Sequence, residues 1–299
     1  MDAYFDMFSG ISGNMVLGAL IDLGLNLEDL NNELDKLGLS DEYRINVKKV
    51  IKQGISASYV DVELLDEINK ANHTPHPHSN AHKHNHGHEH VHEQEYEDEY
   101  EHTHKCVHDH KHEHSHEHSH GRNLSDINKI IDKSSLDIDI KKKSKAIFLR
   151  LAEAEAKIHG TTIEEIHFHE VGAVDAIVDI VGSVIGLNIL GVENVYASKI
   201  NTGTGFVNCQ HGKMPVPAPA TMEILKNVPV YSTGIRNELV TPTGAAIITT
   251  LAKGFLERPE MKIESSAYGA GSHDLEIPNL LRINLVQILD KELLGVKKN

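Results

Sequence analysis

The sequence predicts an α+β fold in which two mixed α/β lobes are separated by a disordered, histidine-rich insertion. Two observations predict it. Strand and helix patterns follow one another without a regular β-α-β alternation, and one segment differs in composition from the rest: residues 73–120 hold 18 of the 23 histidines and only six apolar residues, too few to bury. We therefore expect an N-terminal lobe over residues 1–72, the insertion over 73–123 and the main lobe over 124–299.

The N-terminal lobe has the pattern β-α-α-β-β. Its predicted elements are a strand over Ala3–Phe5, helices over Asn14–Leu23 and Leu27–Leu37, and strands over Arg44–Ile51 and Ser56–Leu65. Leu17, Leu20 and Ile21 share one face of the first helix, which is the spacing of a helix that packs on a core. Gly38 is a usual C-cap residue for the second helix, and Gln53-Gly54 provides a turn between the two strands.

The main lobe is predicted to contain five helices and three strands. The helices cover Ser125–Asp132, Ser144–His159, Ala173–Leu190, Ala220–Lys226 and Pro242–Leu251, and the strands cover Val195–Ile200, Lys262–Tyr268 and Leu281–Leu289. The segment Pro215-Val216-Pro217-Ala218-Pro219 cannot form an interior strand or helix, because alternate residues lack a backbone N–H.

Composition and charge exclude several classes of protein. The 44 acidic residues outnumber the 29 Lys and Arg residues, which gives a net charge of −15 and argues against a nucleic-acid-binding protein. No run of about 18 apolar residues occurs, so no membrane span is expected. Asp2 and Asp6 stand where a signal peptide needs basic residues, and two cysteines make no disulfide framework, so a cytoplasmic location is expected.

The insertion has the composition of a metal-binding tract. Histidines recur at every second position in two series, which include His84, His86, His88 and His90 in the first and His112, His114, His116 and His118 in the second. Neutral imidazole suits Ni, Co, Zn and Cu, and the interleaved acids favour a divalent cation. We expect several weakly held ions, which suits storage or delivery. The alternative is a solvated linker of repetitive sequence.

The strongest signal outside the insertion is His167-Phe168-His169-Glu170-Val171-Gly172-Ala173-Val174-Asp175-Ala176-Ile177-Val178-Asp179. If residues 166–170 are extended, both histidines share a face, and the two aspartates share a face of the following helix, which Gly182 and Gly186 continue. Two carboxylates on an apolar helix are costly to bury unless a cation or donors meet them. The set predicts a metal site or an acid/base pair. The alternative is a pair of solvent-facing acids at a helix N-terminus.

Two turns at helix starts are candidate anion sites. Asp6-Met7-Phe8-Ser9-Gly10-Ile11-Ser12-Gly13-Asn14 follows a strand and opens a helix, where N–H groups and the helix dipole attract anions. Gly10 and Gly13 would let the backbone approach a phosphate, and Ser9 or Ser12 would cap or donate. Thr241-Pro242-Thr243-Gly244 has Thr as N-cap and Pro at the first helical position, which indicates either a well-made helix start or a second anion site.

Two further segments have open interpretations. Cys209 and His211 are either a soft metal pair, a thiol with a base, or a cysteine that merely packs. The segment Tyr268–Asp274, with Asn279 and Arg282, is either a turn between two strands or a ligand loop carrying one fixed positive charge.

Four segments together resemble the LarC family of nickel-insertion proteins. They are Asp6–Gly13, His167–Asp175, His211–Thr221 and Glu238–Gly244. The histidine-rich insertion also matches, and the resemblance covers essentially the whole chain.

The resemblance implies an enzyme of the chelatase-type lyase class. Members insert nickel into pyridinium-3,5-bisthiocarboxylic acid mononucleotide by a cyclometallation that consumes CTP with Mn or Mg, and the product serves lactate racemase-type acceptor enzymes. For this chemistry we expect nickel ligands at His167, His169, Glu170, Asp175, Asp179 and His211, catalytic roles for His169, Glu170 and Asp175, and substrate or cofactor contacts at Asp6, Ser9, Gly10, Ser12, Gly13, Thr241, Thr243 and Gly244. A homo-oligomer is also expected.

The sequence departs from the family pattern in two places. Asn14 stands where the first motif usually has Asp, and the chain stops soon after Arg282, whereas complete members continue into a C-terminal domain associated with CTP. We therefore expect the chain to need a separate C-terminal piece. The alternative function is a non-catalytic nickel store or metallochaperone.

Overall fold

A computed structural model of the protein describes residues 1–65, 122–166, 168, 173–209 and 212–289. The strands are β1 (Asp2–Asp6), β2 (Tyr43–Lys52), β3 (Ile55–Leu64), β4 (Asn194–Ala197), β5 (Ile200–Asn201), β6 (Phe206–Cys209), β7 (Gly212–Pro215), β8 (Val230–Tyr231), β9 (Ala252–Phe255), β10 (Met261–Ala270) and β11 (Leu280–Ile288). The helices are α1 (Gly13–Asp22), α2 (Leu27–Leu34), α3 (Leu124–Lys133), α4 (Ile138–His159), α5 (Val174–Ile189), α6 (Pro219–Ile224) and α7 (Pro242–Leu251).

A seven-stranded mixed sheet forms the centre of the molecule, in the order β2-β3-β10-β11-β1-β4-β9. Strand β1 runs antiparallel to the central strand β11 and parallel to β4, and β4 runs parallel to β9. Two smaller pairs, β5–β8 and β6–β7, lie outside this sheet. The α+β class is therefore confirmed.

The two lobes expected from the sequence are not separate in the structure. Strands from both sides of the insertion join the central sheet, and a single hydrophobic core combines Leu17 and Leu30 with Phe148 and Ile177. This correction concerns strand pairing between distant segments, which leaves no local pattern in a sequence. Residues 66–121, with the histidine series and the boundary expected at residue 72, lie outside the described residues.

Most helix and strand bounds agree with the predictions to within two residues. Of the three exceptions, β4 ends at Ala197 instead of Ile200, and the other two have local causes. Helix α4 begins at Ile138 instead of Ser144, because Asp137 caps it by accepting a hydrogen bond from the Asp139 N–H. Helix α2 ends at Leu34 and continues as a 3₁₀ turn to Leu37, before the left-handed Gly38. In the part of the chain that the structure describes, no helix is both long and apolar enough to cross a membrane.

Helices α1 and α5 pack side by side along the stripe that the sequence predicts. Gly182 lies against Leu17, and a Cβ atom at Gly186 would come within 2.8 Å of the Leu25 side chain. Glycine is needed at this contact because the helices approach so closely. Successive residues of α5 contact successive residues of α1 in the same order along the chain. The two helices therefore run in the same direction and begin at the same end of the molecule.

Candidate functional site

The starts of α1, α5 and α7 meet around the segment 11–13. The Ile11 N–H donates to the Leu239 carbonyl at 2.8 Å, and the Ile11 carbonyl accepts from the Thr241 N–H at 3.2 Å. Gly244, in the first turn of α7, lies so close that a Cβ atom there would come within 2.3 Å of the Ile11 carbonyl oxygen. Three helix N-termini, each carrying partial positive charge, are therefore grouped at one corner.

Asp179 reaches from α5 to the first turn of α1. A Cβ atom at Gly13 would lie 2.4 Å from Asp179 Oδ2, and the Asn14 N–H donates to the Asp179 carboxylate. Ser12 occupies the N-cap position of α1, but its hydroxyl donates to Asn14 Oδ1 at 2.6 Å instead of capping the helix. A side chain of α5 therefore caps α1.

The Asp179 carboxylate has too few donors for its degree of burial. The residue is half-buried, its Oδ1 atom is fully enclosed, and no described group donates a hydrogen bond to that atom. Burial, and then repulsion from Asp175 one turn earlier, raises the pKa of Asp179 well above its ordinary value, while the Asn14 N–H opposes the rise. A cation at this corner would relieve both the desolvation and the repulsion.

The glycines of the first loop serve close backbone packing. Gly10 has φ 82°, and a Cβ atom there would lie 1.9 Å from the Leu239 carbonyl oxygen. The space over Gly13 is filled by Asp179. The Ser9 hydroxyl is buried, and the described chain offers it no hydrogen-bond partner. Phosphate contact by Ser9, Gly10, Ser12 or Gly13 stays a prediction.

The Thr241 segment is a well-made helix start. Thr241 Oγ1 accepts a hydrogen bond from the Gly244 N–H at 3.1 Å, and Pro242 is the first helical residue. This capping confirms the local interpretation. Ligand contacts by Thr241, Thr243 and Gly244 stay predictions.

The other predicted site residues fall into two groups. Asp6 is the last residue of β1, where it is paired with Arg282. His84, His86, His88, His90, His112, His114, His116, His118, His167, His169, Glu170 and His211 lie outside the described residues. Within the described ranges, no group of three or more His, Cys, Asp and Glu side chains is placed to hold a metal ion.

Two asparagines organise this region: Asn14, noted in the sequence as a departure from the family pattern, and Asn201, for which no role was predicted. Asn14 links Asp179 to the sheet, because its side chain also donates to the Val60 carbonyl at 3.4 Å. Asn201 is fully buried and donates to the Phe8 carbonyl at 2.8 Å and to Thr233 Oγ1 at 3.0 Å. The available signal for Asn201 was a polar residue directly after the apolar residues of a strand.

The chain matches the model of a family described as nickel insertion protein over residues 3–298. It is 50% identical over 282 residues to the pyridinium-3,5-bisthiocarboxylic acid mononucleotide nickel insertion protein of Clostridium acetobutylicum. The matched residues make up 94% of this chain and 63% of that protein. The protein of the same name from Desulfitobacterium hafniense is 46% identical over 290 residues, which are 97% of this chain and 59% of that protein.

A putative nickel insertion protein of Maridesulfovibrio salexigens is 50% identical over 285 residues, with 95% of this chain and 63% of that protein covered. The chain thus spans about three fifths of the length of these relatives. No solved structure matches it.

Proposed function

Because the chain belongs to the nickel insertion protein family, we propose that it holds and positions nickel for insertion into pyridinium-3,5-bisthiocarboxylic acid mononucleotide. The observation that carries this proposal is the Asp175–Asp179 pair at the corner where three helices begin. Asp179 is enclosed and short of donors there, and the pair repels itself in the absence of a cation. A divalent ion would relieve the repulsion between the two carboxylates and the desolvation of Asp179.

The ligand set proposed for nickel combines this pair with residues that precede α5 in the sequence. Glu170 stands four residues before the first residue of α5, and His167 and His169 precede it closely. Imidazole nitrogen together with carboxylate oxygen suits Ni²⁺ better than carboxylates alone would. His211 is proposed as a further ligand.

The insertion exchanges a ring C–H bond for a C–Ni bond and releases one proton. A carboxylate next to the metal accepts that proton, and Asp175 and Glu170 are proposed for this role, with His169 as a further acid/base group. We propose that the wider reaction consumes CTP with Mn or Mg through a separate C-terminal piece, and that the product is passed to a lactate racemase-type enzyme.

The proposed nickel site at Asp175 and Asp179, named the fixed site here, can be tested in a variant that lacks the histidine tract. The Leu65 N–H donates to the Glu42 carbonyl at 3.0 Å, and Arg122 Nη2 lies 2.6 Å from Glu42 Oε2. The chain therefore leaves and re-enters the described fold at one residue. Replacing residues 73–120 by a short Gly/Ser linker should preserve the fold.

We expect this shortened variant to retain one tightly bound nickel ion per chain. In the same background, Asp175→Asn should weaken nickel binding by at least about tenfold, since one anionic oxygen donor is lost. Calorimetric titration with Ni²⁺ measures both quantities. Asp139→Asn is the matched control, because Asp139 is an exposed acid in the first turn of α4.

Two results would contradict the fixed site: no tight nickel in the shortened variant, or equal affinities for Asp175→Asn and Asp139→Asn. The first result would favour the second candidate function, a non-catalytic nickel store or metallochaperone. The observation in favour of that function is the density of 18 histidines in residues 73–120.

A further inference from the structure

The sheet face turned away from α1 and α5 carries a row of polar and aromatic side chains. Ala3 and Phe5 of β1 belong to the core under the helices, so the alternate residues Tyr4 and Asp6 point to the opposite face. Residues paired across strands share a face. Asp6 is paired with Arg282 of β11, which is in turn paired with Tyr268 of β10.

Arg282 is held in one orientation on this face while remaining accessible. Its Nε donates to Asp6 Oδ2 at 3.2 Å, and its Nη2 donates to the same oxygen. The guanidinium lies over the Phe8 ring, 5.8 Å from the ring centre, and 37% of the side chain is exposed. Arginine has five N–H donors in a planar fork, so donors remain after the two that Asp6 accepts and the hydrogen bond with the Tyr268 side chain.

A second cation, the ammonium group of Lys199, lies over another aromatic ring nearby. Lys199 Nζ lies 5.3 Å from the centre of the Tyr231 ring, and its side chain is 47% exposed. Tyr231 is within electrostatic reach of both Lys199 and Asp6, which connects this pair to the Asp6–Arg282 pair. We name this surface the Arg282 patch, and its members are Asp6, Phe8, Lys199, Tyr231 and Arg282.

The backbone beneath the Arg282 patch is fixed by hydrogen bonds. Asn201 donates to the Phe8 carbonyl and to Thr233 Oγ1, two residues after Tyr231. The Thr202 N–H donates to the Tyr231 carbonyl at 3.0 Å. The backbone from which both rings project is therefore fixed before any ligand arrives, which lowers the ordering cost of binding.

The charge of the Arg282 patch contrasts with that of the chain. The whole chain has a net charge of −15, whereas this surface has three cations and two acids: Arg282 is paired with Asp6, Lys199 is paired with Glu257 at 2.8 Å, and Arg258 lies within electrostatic reach of Lys199. A local positive surface on an acidic protein attracts an anion and directs it to that place. A planar guanidinium beside a lysine suits the oxygens of a phosphate group.

We propose that the Arg282 patch binds the phosphate group of a pyridinium mononucleotide, with Arg282 as the fork and Lys199 as the second cation. Asp6 is the positioning residue that orients the guanidinium. The proposal rests on the proposed function, and it places one end of the nucleotide. The loop 7–12 connects the patch to the Asp179 corner, since β1 ends at Asp6 and α1 begins at Gly13.

The test measures binding of nicotinamide mononucleotide to the full chain by calorimetry, without nickel. Arg282→Gln should weaken binding at least about tenfold, because charge-assisted hydrogen bonds to phosphate are lost, and Lys199→Gln should weaken it a few-fold. Lys213→Gln is the matched control: Lys213 lies 5.0 Å from the centre of the Phe206 ring, in the β6–β7 hairpin. Its affinity should equal that of the unchanged chain.

A second ligand separates phosphate recognition from a change in fold. Nicotinamide riboside lacks the phosphate, so Arg282→Gln should leave its affinity unchanged, and inorganic phosphate should compete with the mononucleotide in the unchanged chain. If Arg282→Gln weakens both ligands equally, or weakens neither, the proposal is overturned. Should Arg282→Gln fail to fold, Lys199→Gln decides by the same comparison.

Nickel titration of the same variants keeps the two proposals apart. If the unchanged chain binds nickel but does not bind the mononucleotide, the result contradicts the proposal for the Arg282 patch and leaves the proposed nickel site intact. Lost nickel binding in Asp175→Asn does not bear on the phosphate result.

Discussion

The two ends of α1 each meet a carboxylate, and the two carboxylates have opposite surroundings. At the C-terminal end, Asp22 accepts hydrogen bonds from the Tyr268 N–H at 2.9 Å and the Ser58 hydroxyl at 3.1 Å, and it is paired with Lys49. At the N-terminal end, Asp179 accepts from one N–H, and its Oδ1 atom receives no hydrogen bond from the described groups.

Helix electrostatics alone make the N-terminal end of α1, where Asp179 lies, the favourable place for an acid. They make the C-terminal end, where Asp22 lies, the unfavourable one. Asp22 compensates for its unfavourable place by joining α1 to three strands, whereas Asp179 remains short of donors in a favourable place. We infer that Asp22 is built for stability alone, and that Asp179 keeps coordination capacity for a ligand.

The largest stability effect should come from Asp22→Ala. The substitution leaves the Tyr268 N–H and the fully buried Ser58 hydroxyl without their acceptor, so we expect the free energy of unfolding to fall by about 2–4 kcal/mol. Urea denaturation followed by circular dichroism measures this value. Asp274→Ala serves as the control, because Asp274 is paired with Lys52 but is 92% exposed. Equal losses in both variants would contradict the structural role of Asp22.

An effect of opposite sign is expected from Asp179→Asn in the metal-free protein. Burial raises the pKa of Asp179, so the folded protein holds this proton more tightly than the unfolded chain. The stabilisation is complete below the ordinary pKa of about 4 and is lost as pH rises through the raised value. The unchanged chain should therefore lose stability toward neutral pH, and Asp179→Asn should lose less.

At pH 7 this variant should be more stable than the unchanged chain, and the difference in the free energy of unfolding should shrink as the pH falls toward 4. Thermal melts between pH 4 and pH 8, with a chelator present, give the comparison. If the thermal stability of both proteins fell equally with rising pH, Asp179 would have its full complement of hydrogen-bond donors. The contrast with Asp22 would then disappear.

The sequence predicted the local parts of this contrast and missed the contacts between distant segments. The N-cap role of Thr241 follows from residues three positions apart, and the face shared by Asp179, Gly182 and Gly186 follows from helical periodicity. The contact of Asp179 with Gly13 joins residues that are far apart in the chain. Asp22 gave no signal, because its partners come from β2, β3 and β10.

Short strands set a second limit on prediction. Strands β6, β7 and β9 have four residues each, and Ala252-Lys253-Gly254-Phe255 lacks an alternating pattern long enough to identify a strand. The pairings of β1 with β4 and β11, and of β3 with β10, unite the two expected lobes. The expected ligands His167, His169 and Glu170 stay predictions.

The smallest effect should come from Lys49→Gln, which removes one partner of Asp22 and leaves the other two. The Lys49 side chain is 66% exposed, so water and salt screen its ion pair with Asp22. We expect a loss of about 0.2–1 kcal/mol in the free energy of unfolding, which decreases further in 0.5 M salt. Urea denaturation at both salt concentrations measures it. A loss as large as that of Asp22→Ala would show that the ion pair holds α1 on the sheet. A small loss would assign that role to the Tyr268 N–H and the Ser58 hydroxyl, which water does not reach as easily.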